Sequence, residues 1–416
     1  GTAAAERLTA TRIRITNRSR FVDTAMYRAR ALWLVDGRIE ASRVLNIAGI
    51  ARGASRAIAV ATPALELSSG SELILRVVFE LKRANRWAPA GHQVGWDEWV
   101  IARKRARRFA ARGSVAVREE RIEAGESVFT VDHGAGVITR WQYAGAELLK
   151  RPPQLNVWRA ATDNDGIKQR EPSGGALEQW LQWDLPNVRG ELLKVRRSRS
   201  GTGFTMTRQL EHRLAGVNTP IRQRERWQVL ADGSVRIEEV VTVPKGVDDL
   251  PRIGIALTLP ADFERMSYYG RGPDENYCDR AWGYPLGRYE GDVDDEYVPY
   301  IVPQEHGNHT QVRWLAVESS ATGLLLQPDA PAQCSVGRYS AQALFAARHT
   351  VELTRSDCVH VNLDHANRGL GTGACGPDTL PKYRIGAGRH RFAWWIRPYR
   401  LGEDPGSLVR VEFPQP

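Results

Sequence analysis

The chain has 416 residues, 42% of them hydrophobic and 25% charged, a balance that excludes a disordered chain and leaves room for two or three domains with their own cores. No window approaches eighteen consecutive apolar residues, so no membrane-spanning helix is expected. The net charge of +10 comes from Arg dispersed along the chain, only 7 of the 58 basic residues being Lys, which argues against a nucleic-acid-binding stripe.

In chain order, Tyr27, Ala29, Ala31, Trp33 and Val35 alternate with Arg28 and Arg30, and Asp36-Gly37 suits a tight hairpin turn. Leu73, Leu75, Val77, Phe79 and Leu81 make a second such face. Strands at this spacing predict a small β-sandwich over 1–102. The run Arg103-Lys104-Arg105-Ala106-Arg107-Arg108 opens a solvated basic linker over 103–113, since no nucleic-acid-binding motif accompanies it. From 114 to 400 the β character continues. Residues 131–138 read as strand, turn, strand; 227–243 read as a hairpin about Asp232-Gly233; Gly175 to Trp183 suits one short helix. That length exceeds one immunoglobulin-sized sandwich, so a large two-sheet sandwich is expected, followed by a tail over 401–416.

Cys278, Cys334, Cys358 and Cys375 lie far apart without CxxC spacing, which predicts free thiols in a reducing cytoplasm. The chain starts Gly1-Thr2-Ala3 with no Met and no secretory pattern, and reads as a piece of something longer.

The most specific run is Tyr268-Tyr269-Gly270-Arg271-Gly272-Pro273-Asp274-Glu275-Asn276-Tyr277-Cys278-Asp279-Arg280. Trp158-Arg159-Ala160-Ala161-Thr162-Asp163-Asn164-Asp165 precedes it, and Pro303-Gln304-Glu305-His306-Gly307 follows. In that order these segments resemble the C-terminal, non-catalytic part of large multidomain bacterial β-galactosidases of the glycoside hydrolase family 2 type. The resemblance implies an all-β chain: an immunoglobulin-like β-sandwich, then a large galactose-mutarotase-like β-supersandwich. It also implies that the catalytic barrel, with its two Glu residues and any divalent or sodium ion, belongs to a partner portion of the same enzyme. No cofactor or metal is expected in this chain. The substrate would be a β-galactoside, the assembly a homo-oligomer, with no nucleic acid and no membrane.

A retaining glycosidase needs two carboxyls about 5 Å apart in a sugar-binding cleft. Glu119-Glu120, Asp248-Asp249 and Asp292 to Glu296 sit in polar, turn-like stretches, so no catalytic residue is expected. Three segments could border the missing active site. The stretch Gly166 to Gly175 is Gly-flanked and polar, which suits a mobile lid or an ordinary surface loop. The glycine-rich segment His365 to Asp378 lacks a Walker lysine; in the family it points toward the sugar, and the position of a sugar-stacking Trp falls on Cys375. Glu305-His306-Gly307-Asn308-His309 resembles a motif that more often carries Asn at the His306 position. Gly166, Cys375, Asp378, Glu305 and His306 are therefore the substrate-proximal candidates. The alternatives are an independent carbohydrate-binding module and a mutarotase-like aldose epimerase, the latter requiring a His and a Glu facing each other in the cleft.

Overall fold

The computed structural model describes residues 3–108, 113–200, 202–409 and 411–412. The described residues fall into two units, one within Gly1–Phe109 and Gly406–Pro416, the other within Ala110–Pro405.

In the first unit the alternating stretch becomes the strand Tyr27–Val35, turned into Arg38–Leu45 by Asp36 and Gly37 at φ 49° and 82°. Positive φ at both turn residues matches the right-handed twist of the strands it joins. These two strands, with Glu72–Leu81 and Gln93–Arg103, form a four-stranded antiparallel sheet. A three-stranded sheet of Ala3–Arg7, Arg12–Asn17 and Ser55–Ala59 packs on it. Ile13, Ile15, Trp33, Leu75, Val77 and Phe79 share one core between the sheets, so inward residues of both sheets make the sandwich. Of the basic run, Arg103 closes the last strand and pairs with Glu72 at 3.2 Å, while Lys104 Nζ donates to the Leu67 carbonyl at 2.7 Å. Arg107–Arg108 pairs in parallel with Val411–Glu412. Residues 109–112 of the expected linker, and 410 and 413–416 of the expected tail, lie outside the described residues.

The second unit is built from three sheets. A five-stranded antiparallel meander runs from Val115–Arg118 to Ala146–Glu147. A second five-stranded sheet is ordered Arg151–Asn156, Arg252–Pro260, Cys358–Asn367, Ala332–Gly337, His309–Val312. The third has nine strands, including the expected hairpin Ile221–Leu230 and Val235–Val243, with Gly388–Tyr399 beside it. Leu257, Leu315, Val361, Trp227 and Trp394 fill one core between the sheets. Trp158, Trp180 and Trp183 fill a second under the helix Gly175–Gln182. Most of the tryptophans thus serve as space-filling core, as large rings do between sheets; Trp87 and Trp282 are exposed. The protein is all-β, and no helix among the described residues is long and apolar enough to cross a membrane.

Candidate functional site

The run 268–280 works as a clamp. Asn276 donates through Nδ2 to the carbonyls of Arg271 and Asp274 and accepts from the Thr310 amide at 3.0 Å. Asn308 returns a bond from Nδ2 to the Asn276 carbonyl at 2.8 Å. Glu275 accepts from Arg280 at 2.6 Å, from the Gly307 amide at 2.9 Å, and from the Tyr300 hydroxyl. Asp279 accepts from the amides of Leu370 and Gly371 at 3.0 and 2.7 Å. Short polar side chains that answer backbone groups of distant loops hold those loops at fixed positions, because a buried amide left unpaired is costly. The motif thereby sets both the 300–310 segment and the start of the 369–378 loop.

The 159–168 segment joins the other two. Glu305 N donates to the Ala160 carbonyl at 3.3 Å, and Asp163 N to Gln304 Oε1 at 3.2 Å. Asn164 bridges to the glycine loop, donating to the Gly371 carbonyl and accepting from the Ala374 amide, both at 3.1 Å. Gly373 permits that approach: a Cβ there would lie 2.4 Å from the Asn164 carbonyl oxygen. Of the segments singled out in the sequence, 305–309 and 365–378 are thus joined through 160–164, which lies just before the 166–175 stretch.

Beneath them lies a buried charge network. Arg159 and Arg368, both fully buried, converge on Asp165, which Arg159 Nη2 meets at 2.7 and 2.9 Å and Arg368 Nη1 at 3.1 Å. Arg368 also pairs with Asp249 and Asp378, and Asp378 with Arg384 at 2.8 Å. The arginines hold the Asp378 carboxyl below its usual range against the opposing effect of burial. A second group places Arg252 between Glu305 at 2.8 Å and Asp364 at 2.9 Å. Burial is the main cause that pushes Asp364 up to about 7, against the pull of Arg252 and with Glu305 adding to the rise. One guanidinium facing two buried carboxyls is balanced when Asp364 keeps its proton.

These contacts define what each candidate can do. Glu305 and Asp378 are ion-paired scaffold groups. Gly166 closes the base of the 166–175 loop: at φ +148°, a Cβ on it would lie 2.4 Å from the Gly174 carbonyl oxygen. The loop is tied at its middle as well. Lys168 Nζ donates to the carbonyls of Pro303 and Leu344 at 2.7 Å, of Phe345 at 3.1 Å, and of Ala347. Burial lowers this ammonium to about 8, with Asp163 and Glu352 opposing the shift. Cys375 is exposed at the tip of the glycine loop.

His306 lies apart from this network. Its Nδ1 meets the Gln304 carbonyl at 3.0 Å, its ring stands edge-on to Tyr297, and it lines a separate cavity. His309 does face a carboxylate, Glu296 Oε2 at 2.7 Å, but its other nitrogen is taken by the Tyr268 hydroxyl at 3.0 Å and the residue is buried. Both nitrogens being occupied inside the protein, this pair is closed to a sugar. His365 stacks on Phe392. Among the described residues no group of three or more His, Cys, Asp or Glu could hold a metal ion. Arg159, Lys168, Asp279 and Arg368 carry the architecture and were missed in the sequence, where their partners lie up to about two hundred residues away.

A larger groove of about 740 Å³ borders the Arg151–Asn156 strand. Asn156 Nδ2 donates to Asn362 Oδ1, and Asn362 Nδ2 to Ser335 Oγ, both at 2.9 Å. On its other side His212 meets Gln223, whose amide donates to the fully buried Glu239. Burial and then the charge of Glu225 hold Glu239 well above the usual carboxylate range.

A family model described as beta-galactosidase small chain matches residues 123–396. The chain belongs to that family. A second model, beta-galactosidase domain 4, matches residues 13–102. The beta-galactosidase of Priestia megaterium is 29% identical over 331 residues, 76% of this chain and 31% of that protein. Beta-galactosidase 2 of Enterobacter cloacae is 27% identical over 385 residues, 88% of this chain and 36% of that protein. This member of the small-chain family spans about a third of the length of the curated relatives it matches. Among solved structures, a putative aldose 1-epimerase from Escherichia coli matches with TM-score 0.37 and 14% identity, covering 68% of this chain and 98% of that one.

Proposed function

We propose that this chain is the non-catalytic C-terminal portion of a β-galactosidase that hydrolyses terminal β-D-galactosides with retention. In this reading it buttresses the catalytic barrel and lends the 159–168, 303–309 and 367–378 segments to the wall of the active site. The observation that carries the reading is the joint match of 13–102 and 123–396 to two β-galactosidase family models, domain 4 and small chain. Support comes from the hydrogen bonds that join those three segments to one another. Exposed Ile301 and Leu380 adjoin two of them in sequence, and exposed Trp282 follows the 268–280 run, as expected for surface that a partner covers. Assembly as a homo-oligomer in the cytoplasm belongs to the same proposal.

Cys375 modifies the expected specificity. A thiol cannot offer the flat face on which a sugar ring stacks, so aglycone binding in the assembled enzyme would be weak. The test is hydrolysis of a chromogenic β-galactoside by the purified chain, alone and mixed with the N-terminal remainder of its parent. Silence alone and activity on mixing are expected; robust activity alone would overturn the reading.

The amide- and hydroxyl-lined groove favours a second reading, in which the chain holds a carbohydrate without cleaving it. Saturable galactose binding by the isolated chain, lost on Asn362→Leu, would favour it.

A further inference from the structure

The cavity that His306 lines has a volume of about 270 Å³ and is walled by Tyr297, Tyr339, Arg338, Arg355 and Asp294. Its chemistry is dominated by one side chain. Arg338 is 3% exposed, yet only its Nη1 has a hydrogen-bond partner, the Ala261 carbonyl at 2.7 Å. Nε and Nη2 are buried without one. The nearest opposite charge is Asp294, 3.4 Å from Nε, and Asp294 is itself half exposed and shared with Arg355 at 2.6 Å. A buried guanidinium with two nitrogens lacking hydrogen-bond partners is costly unless an acceptor completes it. Buried orphans of this kind mark a place for a water or an ion.

The rest of the lining says which. Arg338 and Arg355 bring two positive charges against the single carboxylate of Asp294, and Tyr339 adds a hydroxyl able to donate. Guanidinium forks suit the planar or tetrahedral oxygens of a carboxylate or phosphate. The volume equals that of about nine waters at ~30 Å³ each, more than a bare oxyanion fills. The remaining walls are aromatic: Tyr297 and Tyr339 have centroids 5.1 Å apart, and the His306 ring stands edge-on to Tyr297 at 5.3 Å. Flat apolar faces beside charged donors fit a sugar ring carrying an acidic group.

We propose that this cavity is a binding site for a small oxyanion, borne by a monosaccharide-sized ligand such as a sugar phosphate. It shares His306 with the 303–309 segment but does not depend on the β-galactosidase reading. Its occupancy would complete Arg338 and brace the 297–306 segment, which Lys168 ties to the 166–175 loop through Pro303.

The test is calorimetric titration of the chain at low ionic strength with inorganic phosphate, a hexose 6-phosphate and the neutral hexose. One phosphate per chain is expected, with tighter binding of the hexose phosphate and none of the neutral sugar. Equal affinity for the two phosphates would identify the free ion as the occupant and keep the site. Arg355 is half exposed, so Arg355→Gln should fold normally and weaken binding at least tenfold. Asp294→Asn, which removes the competing internal anion, should tighten it. No heat with either phosphate, or binding unchanged in Arg355→Gln, would overturn the proposal, as would binding of the neutral hexose with phosphate silent.

Discussion

Replacing Lys168 by Met removes one ammonium from four backbone carbonyls, those of Pro303, Leu344, Phe345 and Ala347. At pH 7 the group, titrating at about 8, carries its proton, so the change deletes a charged donor. A hydrogen bond to a charged group contributes roughly 1.5–3 kcal/mol net. Three N–H groups serve the four oxygens, which sets an upper sum of about 5–9 kcal/mol on that scale. The side chain is half-buried, so water would reach part of the vacated site, and the cost of half burying the ammonium disappears with it. About 1–3 kcal/mol of destabilisation remains, concentrated in the 166–175 loop and the segments it touches. Urea unfolding gives the global value, and hydrogen exchange at the amides of 166–175 and 344–347 gives the local one. A change below ~0.5 kcal/mol with unaltered exchange would show that the carbonyl cage does not hold this loop.

The buried charges and the thiols are open to test as well. Asp165→Asn removes the carboxylate that both Arg159 and Arg368 meet inside the protein; a cost of about 3–5 kcal/mol is expected, read as the shift of the urea midpoint. Asp364 has its folded pKa raised from 3.8 to about 7, so between those values the folded state binds the extra proton and this group's stabilisation declines as pH rises through the window. Asp364→Asn, which mimics the protonated acid, should flatten that decline in thermal-melt profiles between pH 4 and 8; an unchanged slope would place the charge on Asp364 throughout. Cys375 is the exposed thiol, whereas Cys334 and Cys358 are buried and burial pushes Cys278 up to about 11. Maleimide should therefore modify Cys375 first, by mass spectrometry, and Cys375→Trp should lower the KM of the reconstituted enzyme for aryl β-galactosides.

Features set by local pattern are legible in the sequence. Period-two alternation in Tyr27–Val35, the Asp36-Gly37 turn, the hairpin about Asp232-Gly233 and the helix at Gly175 are fixed by neighbours a few residues away. The run 268–280 lies inside the part of the chain that matches the family, and its side chains answer particular backbone groups. Its task as a clamp is not legible there: Asn276 meets Thr310, and Asp279 meets Leu370 and Gly371, across distances that no periodicity encodes. The same holds for the candidates. Sequence places Glu305 and Asp378 among the substrate-proximal candidates, and the folded chain pairs them with Arg252, Arg368 and Arg384. Whether a carboxylate is a scaffold ion pair or a free ligand depends on the charges brought beside it, and only the tertiary structure decides those. Arg338 is the clearest instance: one Arg among dozens in the sequence, it becomes distinctive because the fold buries it with two nitrogens lacking hydrogen-bond partners.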